Sequence, residues 1–146
     1  MELFYHFAPL ISIEISVVMN TNTTDKTHYS DSELQEFDAL IVNKLEQARE
    51  QLKFYVDQIS DAGQSSDSKN KGIEDSASSV ESERLNTLAA RQKKLIQHLE
   101  NARRRIQNKV YGICRDTGKL ICKDRLMAVP HATLSIAAKE NQKRKK

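Results

Sequence analysis

The residues with the most chemical reach are few. Cys114 and Cys122 are the only thiols in a chain of 146 residues. A structural zinc site needs four nitrogen or sulfur donors held as a tetrahedron. Cys114, Cys122 and His131 would supply three, so a closed site lacks a fourth ligand and metal binding is disfavoured. A Cys114–Cys122 disulfide is disfavoured in a reducing cytoplasm, so both residues read as ordinary thiols. His98 falls beside Leu95 and Leu99, while His6 and His28 fall in segments read as disordered. No Ser/His/Asp, Cys/His or glycine-rich phosphate constellation is present, so the chain does not read as an enzyme. Arg91, Lys93, Lys94 and Arg103 to Arg105 form a basic stripe, which reads first as a solvated face pairing with acidic neighbours. Lys143-Arg-Lys-Lys146 has no aromatic platform beside it, so sequence-specific nucleic-acid readout is not expected.

Composition bounds what can position these groups. Hydrophobic residues make up 38%, charged residues 29% and aromatic residues 5%, with four Gly, two Pro and no Trp. Such a chain lacks the turns and the aromatic or β-branched strands of a sandwich or barrel. It favours long helices with a narrow apolar seam. The net charge is +3, and the last eight residues alone carry +4, leaving −1 for the remainder. Residues 1–18 are apolar, but Glu2, Pro9 and Glu14 interrupt them and no Lys or Arg precedes Lys26. Neither a membrane span nor a signal peptide fits that pattern. The expectation is a disordered leader over 1–29 with a true start at Met19.

Two periodic segments follow. Ser30-Asp-Ser-Glu33 has capping-box spacing. Apolar residues then recur at Leu34, Phe37, Ile41, Leu45, Ala48, Leu52, Tyr55 and Ile59, which puts them on one helical stripe. Residues 62–78 are Gly, Ser, Asp, Asn and Lys rich and read as a loop. Ser78-Ser-Val-Glu81 offers a second capping box, followed by Leu85, Leu88, Gln92, Leu95, Leu99, Ala102 and Ile106 at heptad spacing. Each helix would run about 45 Å at 1.5 Å per residue. Residues 31–62 carry −5 and residues 91–110 carry +6. An antiparallel hairpin within one chain would bring Asp31, Glu33, Glu36 and Asp38 near Arg103, Arg104, Arg105 and Lys109. That arrangement is preferred over an intermolecular coiled coil.

Beyond Tyr111-Gly112, which read as the helix end, Asp116-Thr-Gly118 marks a turn between short apolar pieces. A short β-hairpin is expected there, with a short helix over 131–139. From Tyr29 to Lys139 the chain resembles the DksA/TraR family of bacterial transcription regulators. The hairpin carries part of that resemblance. The motifs YGIC-x-x-TGK-x-I and RL-x-x-x-P-x-ATL-x-I carry the rest.

The resemblance implies an RNA polymerase partner. The hairpin would enter the secondary channel, place acidic tip residues near the catalytic magnesium and modulate initiation without covalent chemistry. The family tip motif, Asp-x-x-Asp-x-Ala, is matched in its second half by Asp75 and Ala77, with Glu74 adjacent and Gly72 where the first Asp would stand. Arg91, Lys94 and Arg125 are the expected polymerase-rim contacts. Zinc-binding relatives carry four cysteines, which fall here on Cys114, Thr117, Ser135 and Ala138. The expectation is a degenerate zinc finger without metal, its interior filled by Ile113, Leu120, Ile121, Leu126, Leu134 and Ile136.

The predicted architecture is therefore mainly α: a coiled-coil hairpin over 30–110 with its loop at 62–78, a zinc-finger-like knob over 111–139, and a basic tail over 140–146. The functional expectation is a cytoplasmic, monomeric regulator of RNA polymerase with no cofactor, no membrane association and no sequence-specific DNA contact. A dimerising structural coiled coil and a nonspecific nucleic-acid binder are the alternatives.

Overall fold

The computed structural model describes residues 26–64 and 74–145. Two long helices dominate it, α1 (Asp31–Gln64) and α2 (Glu74–Gln107), each of 34 residues. They pack antiparallel as one hairpin, about 51 Å long at 1.5 Å per residue. The capping box at the start of α1 forms as its spacing predicts. The Ser30 amide donates to Glu33 Oε2 at 2.9 Å, and the Glu33 amide donates to Ser30 Oγ at 3.4 Å.

Both helices extend further into the connector than the 62–78 loop expected for it. Ser78 and Glu81 lie within α2, so their spacing is an ordinary i,i+3 pair and not a cap. At the other end α2 closes before Gly112. Lys109 adopts φ 58°, its amide donates to the Ile106 carbonyl, and the Val110 amide donates to the Arg105 carbonyl. These two bonds are the Schellman pattern, which satisfies terminal carbonyls without a glycine.

The seam buries Leu34, Phe37, Ile41, Leu45 and Ala48 of α1 against Leu85, Ala89, Leu99 and Ala102 of α2. Leu52, Tyr55, Ile59 and Leu88 are only half-buried, so the packing loosens towards the connector. Gln92 interrupts the seam and finds a cross-helix partner in Gln51, at 3.2 Å. Asp31–Lys109 (3.2 Å) and Asp38–Arg103 (2.9 Å) are the ion pairs that the charge pattern anticipates. Glu36 instead pairs with Lys123 beyond the hairpin, at 2.9 Å.

The knob is built from a turn and two short helices, α3 (Lys123–Ala128) and α4 (Ile136–Arg144). Among the described residues the expected β-hairpin reduces to one antiparallel bridge, Ile113 to Leu120. Gly118 allows the turn at φ 67°, and its amide closes on the Cys114 carbonyl at 2.9 Å. Two expectations are corrected here. Residues 140–144 belong to α4, because the helix started at Ser135 continues through them without a breaker. Tyr29, assigned to the leader, packs into the core. Residues 1–25 of that leader lie outside the described residues.

Candidate functional site

Three places carry chemistry. The first is the centre of the knob. Cys114 is buried at 1% exposure, and the Ser135 amide donates to its sulfur at 3.3 Å. The Cys114 thiol and Ser135 Oγ are 3.7 Å apart. Ser135 Oγ also accepts from the Ala138 amide at 3.3 Å and so caps α4. Burial works against a Cys114 thiolate. Hydrogen bonds from the Thr117 side chain and from the Ser135, Thr117 and Asp116 amides outweigh it and bring the thiol down to about 6. The four positions Cys114, Thr117, Ser135 and Ala138 thus converge, joined by hydrogen bonds. The apolar interior is partly as expected. Ile121 and Leu126 are fully buried, whereas Ile136 is exposed because it opens α4 on the solvent side. Tyr111 and Pro130 fill the remaining space, with the Tyr111 hydroxyl donating to the Pro130 carbonyl at 2.6 Å.

The second place is an open cleft of about 640 Å³ between α2 and the knob, lined by His98, Arg105, Arg115, Arg125, His131 and Lys139 among others. The His98 and His131 rings stack at 5.6 Å and 13°. Arg105 donates to the His131 carbonyl at 3.4 Å, and Arg125 donates to the Leu134 carbonyl at 2.8 Å. Burial, then His98, Arg105 and Lys44, hold the His131 imidazole below its ordinary value. Of the expected rim residues, Arg125 lines this cleft, while Arg91 and Lys94 are exposed further along α2.

The third place is the tip. α2 begins at Glu74, so Glu74 and Asp75 stand on its first turn and not in a loop, and Ala77 is exposed one turn on. Gly72 lies outside the described residues.

Residues 109–143 match the model of the prokaryotic dksA/traR C4-type zinc finger. Over this C-terminal stretch the chain is similar to the DksA/TraR family. It is 44% identical over 55 residues to the RNA polymerase-binding transcription factor DksA of Caulobacter vibrioides strain NA1000 / CB15N. The same figures hold for the protein of strain ATCC 19089 / CIP 103742 / CB 15. Each match covers 38% of this chain and 39% of the relative, so the chain matches about two-fifths of the curated relatives' length. The structure of transcription factor DksA2 from Pseudomonas aeruginosa superposes with TM-score 0.70 at 24% identity, over 78% of this chain and 85% of that one.

The DksA/TraR finger is a C4 type, and the residues here do not fit that metal. Ala138 presents a buried methyl at the fourth position. Ser135 spends its hydroxyl on the α4 cap, and Thr117 is a neutral hydroxyl at an exposed position. None of the three is the anionic or imidazole donor that zinc takes. Cys122 is exposed at the start of α3, away from this cluster, and His131 faces the cleft.

Tyr29 and the His98–His131 stack were missed as partners in the sequence. Tyr29 had a local signal. An apolar residue just before a capping Ser, with Leu34 at the fourth helical position, is a hydrophobic staple. Its hydroxyl donates to the Ile121 carbonyl, and its ring meets Phe37 edge-on at 5.2 Å. Burial, then the nearby Cys122 and Glu33, push the phenol up to about 12. The histidine stack had no such signal, since it joins residues 33 positions apart through tertiary packing.

Proposed function

We propose that this chain binds RNA polymerase and regulates transcription, inserting its hairpin into the secondary channel to modulate initiation. The hairpin itself carries the reading. Two antiparallel helices of about 51 Å place one narrow end far from the knob, and the acidic pair Glu74 and Asp75 opens the helix at that end. Carboxylates there can act on a magnesium-centred charge network by electrostatics alone. Arg91, Lys94 and Arg125 contact the polymerase rim, and the knob over 111–139 braces there without zinc as a single-chain, cytoplasmic factor. The curated relatives' printed role supports the choice of partner.

The test is a pull-down with core RNA polymerase from the same cell, paired with an initiation assay. Wild type and the double variant Glu74→Ala/Asp75→Ala are both expected to bind, and the variant is expected to lose the regulatory effect. Failure of the intact protein to bind polymerase would remove the reading.

A further inference from the structure

The knob and the hairpin share one hydrophobic core, and a residue before α1 packs against it where the two meet. The Tyr29 ring lies on the α-carbon of Gly112, at the junction between α2 and the knob. A Cβ added to Gly112 would stand 2.5 Å from Tyr29 Cε2 and 2.7 Å from Cδ2, so only glycine admits the ring at that distance. Gly112 also holds φ 78°, a conformation that other L residues rarely adopt. The same ring abuts Phe37 of α1, and Phe37 in turn packs on Tyr111 of the knob at 5.2 Å. The hydroxyl is tied to the Ile121 carbonyl, on the strand-like piece opposite Gly112. The Ile121 amide returns to the Gly112 carbonyl at 2.7 Å, closing the loop of contacts. Lys26 lies 5.7 Å from the Tyr29 ring centroid and pairs with Glu33, which holds the residues preceding α1 against the helix.

We propose that Tyr29 is a positioning residue that fixes the angle between hairpin and knob by seating on Gly112 and bonding to the Ile121 carbonyl. The consequence is one of leverage. With a hairpin about 51 Å long, a rotation of about 5° at the junction moves the tip by about 4 Å. Displacements of that size separate a carboxylate in contact with a metal-centred network from one outside it. The effect on transcription rests on the polymerase reading above. The effect on the angle does not.

Two measurements separate these claims. The first uses the free protein, with spin labels on Val80→Cys near the tip and Glu140→Cys on α4, in a Cys122→Ser background. Val80 and Glu140 are exposed, and Cys114 is shielded. Tyr29→Ala is expected to shift or broaden the label-to-label distance by several Å while helicity is retained. An unchanged mean and width would overturn the proposal. Should Tyr29→Ala lose helicity, Tyr29→Phe asks the same question through the bond to Ile121 alone. A broadened distribution supports the proposal and an unchanged one counts against it.

The second measurement uses core RNA polymerase. Tyr29→Ala should bind within about threefold of wild type and lose at least tenfold in regulatory effect, with Tyr29→Phe falling between the two. Equal loss of binding and effect would mean that Tyr29 only supports folding. Wild type failing to bind would end the polymerase reading, while the distance measurement would still decide the angle.

Discussion

The two cysteines of this chain occupy opposite environments. Cys114 has a thiol lowered to about 6 but is 1% exposed, whereas Cys122 is exposed at the start of α3. Alkylation needs both a thiolate and access. Brief treatment with iodoacetamide is therefore expected to label Cys122 alone, with Cys114 reacting only after unfolding, as read by peptide mass spectrometry. Equal labelling of both in the native protein would contradict the packing of the knob. Burial and the nearby His98, Arg105 and Lys44 lower the His131 pKa. The unfolded chain then accepts a proton near the ordinary value of 6.5 that the folded protein resists. Stability from this residue is complete above that value and declines as pH falls through the lower folded value. Between pH 6.5 and 5, wild type should lose more stability in urea titrations than His131→Gln. The donor chemistry of Cys114, Thr117, Ser135 and Ala138 was legible in the sequence, because thiol, hydroxyl and methyl differ wherever they sit; the hydrogen bonds that join them were not. That His131 would stack on His98 was not legible, because no local spacing encodes it.

The helices behave as their apolar periods dictate, and their ends less so. Leu99 is fully buried in the seam, while Leu88 is only half-buried. Leu99→Ala should cost about 2–5 kcal/mol in chemical denaturation, and Leu88→Ala clearly less. Equal costs would contradict a seam that loosens towards the connector. A heptad pattern is readable because burial of one stripe repeats every three or four residues over many turns. A single cap is weaker information. Ser30–Glu33 and Ser78–Glu81 share the same spacing, yet only the first is a cap, because α2 has already started at Glu74. The helix end at Lys109 was also hidden, since a lysine in the left-handed region carries no sequence mark. The short hairpin of the knob shrank to one bridge because the turn closes on Cys114 at one end and Cys122 already opens α3 at the other.

At the scale of the whole molecule, the long hairpin converts a small, well-packed junction into control of a distant tip. Tyr29, Phe37 and Tyr111 form the aromatic chain at that junction, and Glu36–Lys123 adds an ion pair across it. An exposed pair contributes under about 1 kcal/mol, so the aromatic packing carries the larger share. The likeness to the DksA2 structure extends over 78% of the chain and thus covers hairpin and knob together. In the proposed function this tip reaches the interior of RNA polymerase. A photo-activated crosslinker in place of exposed Ala77 tests it most directly, with the adducts on core RNA polymerase mapped by mass spectrometry. The expected result is crosslinks to residues lining the secondary channel close to the catalytic magnesium. Crosslinks confined to the outer surface of polymerase, or none from a protein that still binds it, would contradict the account.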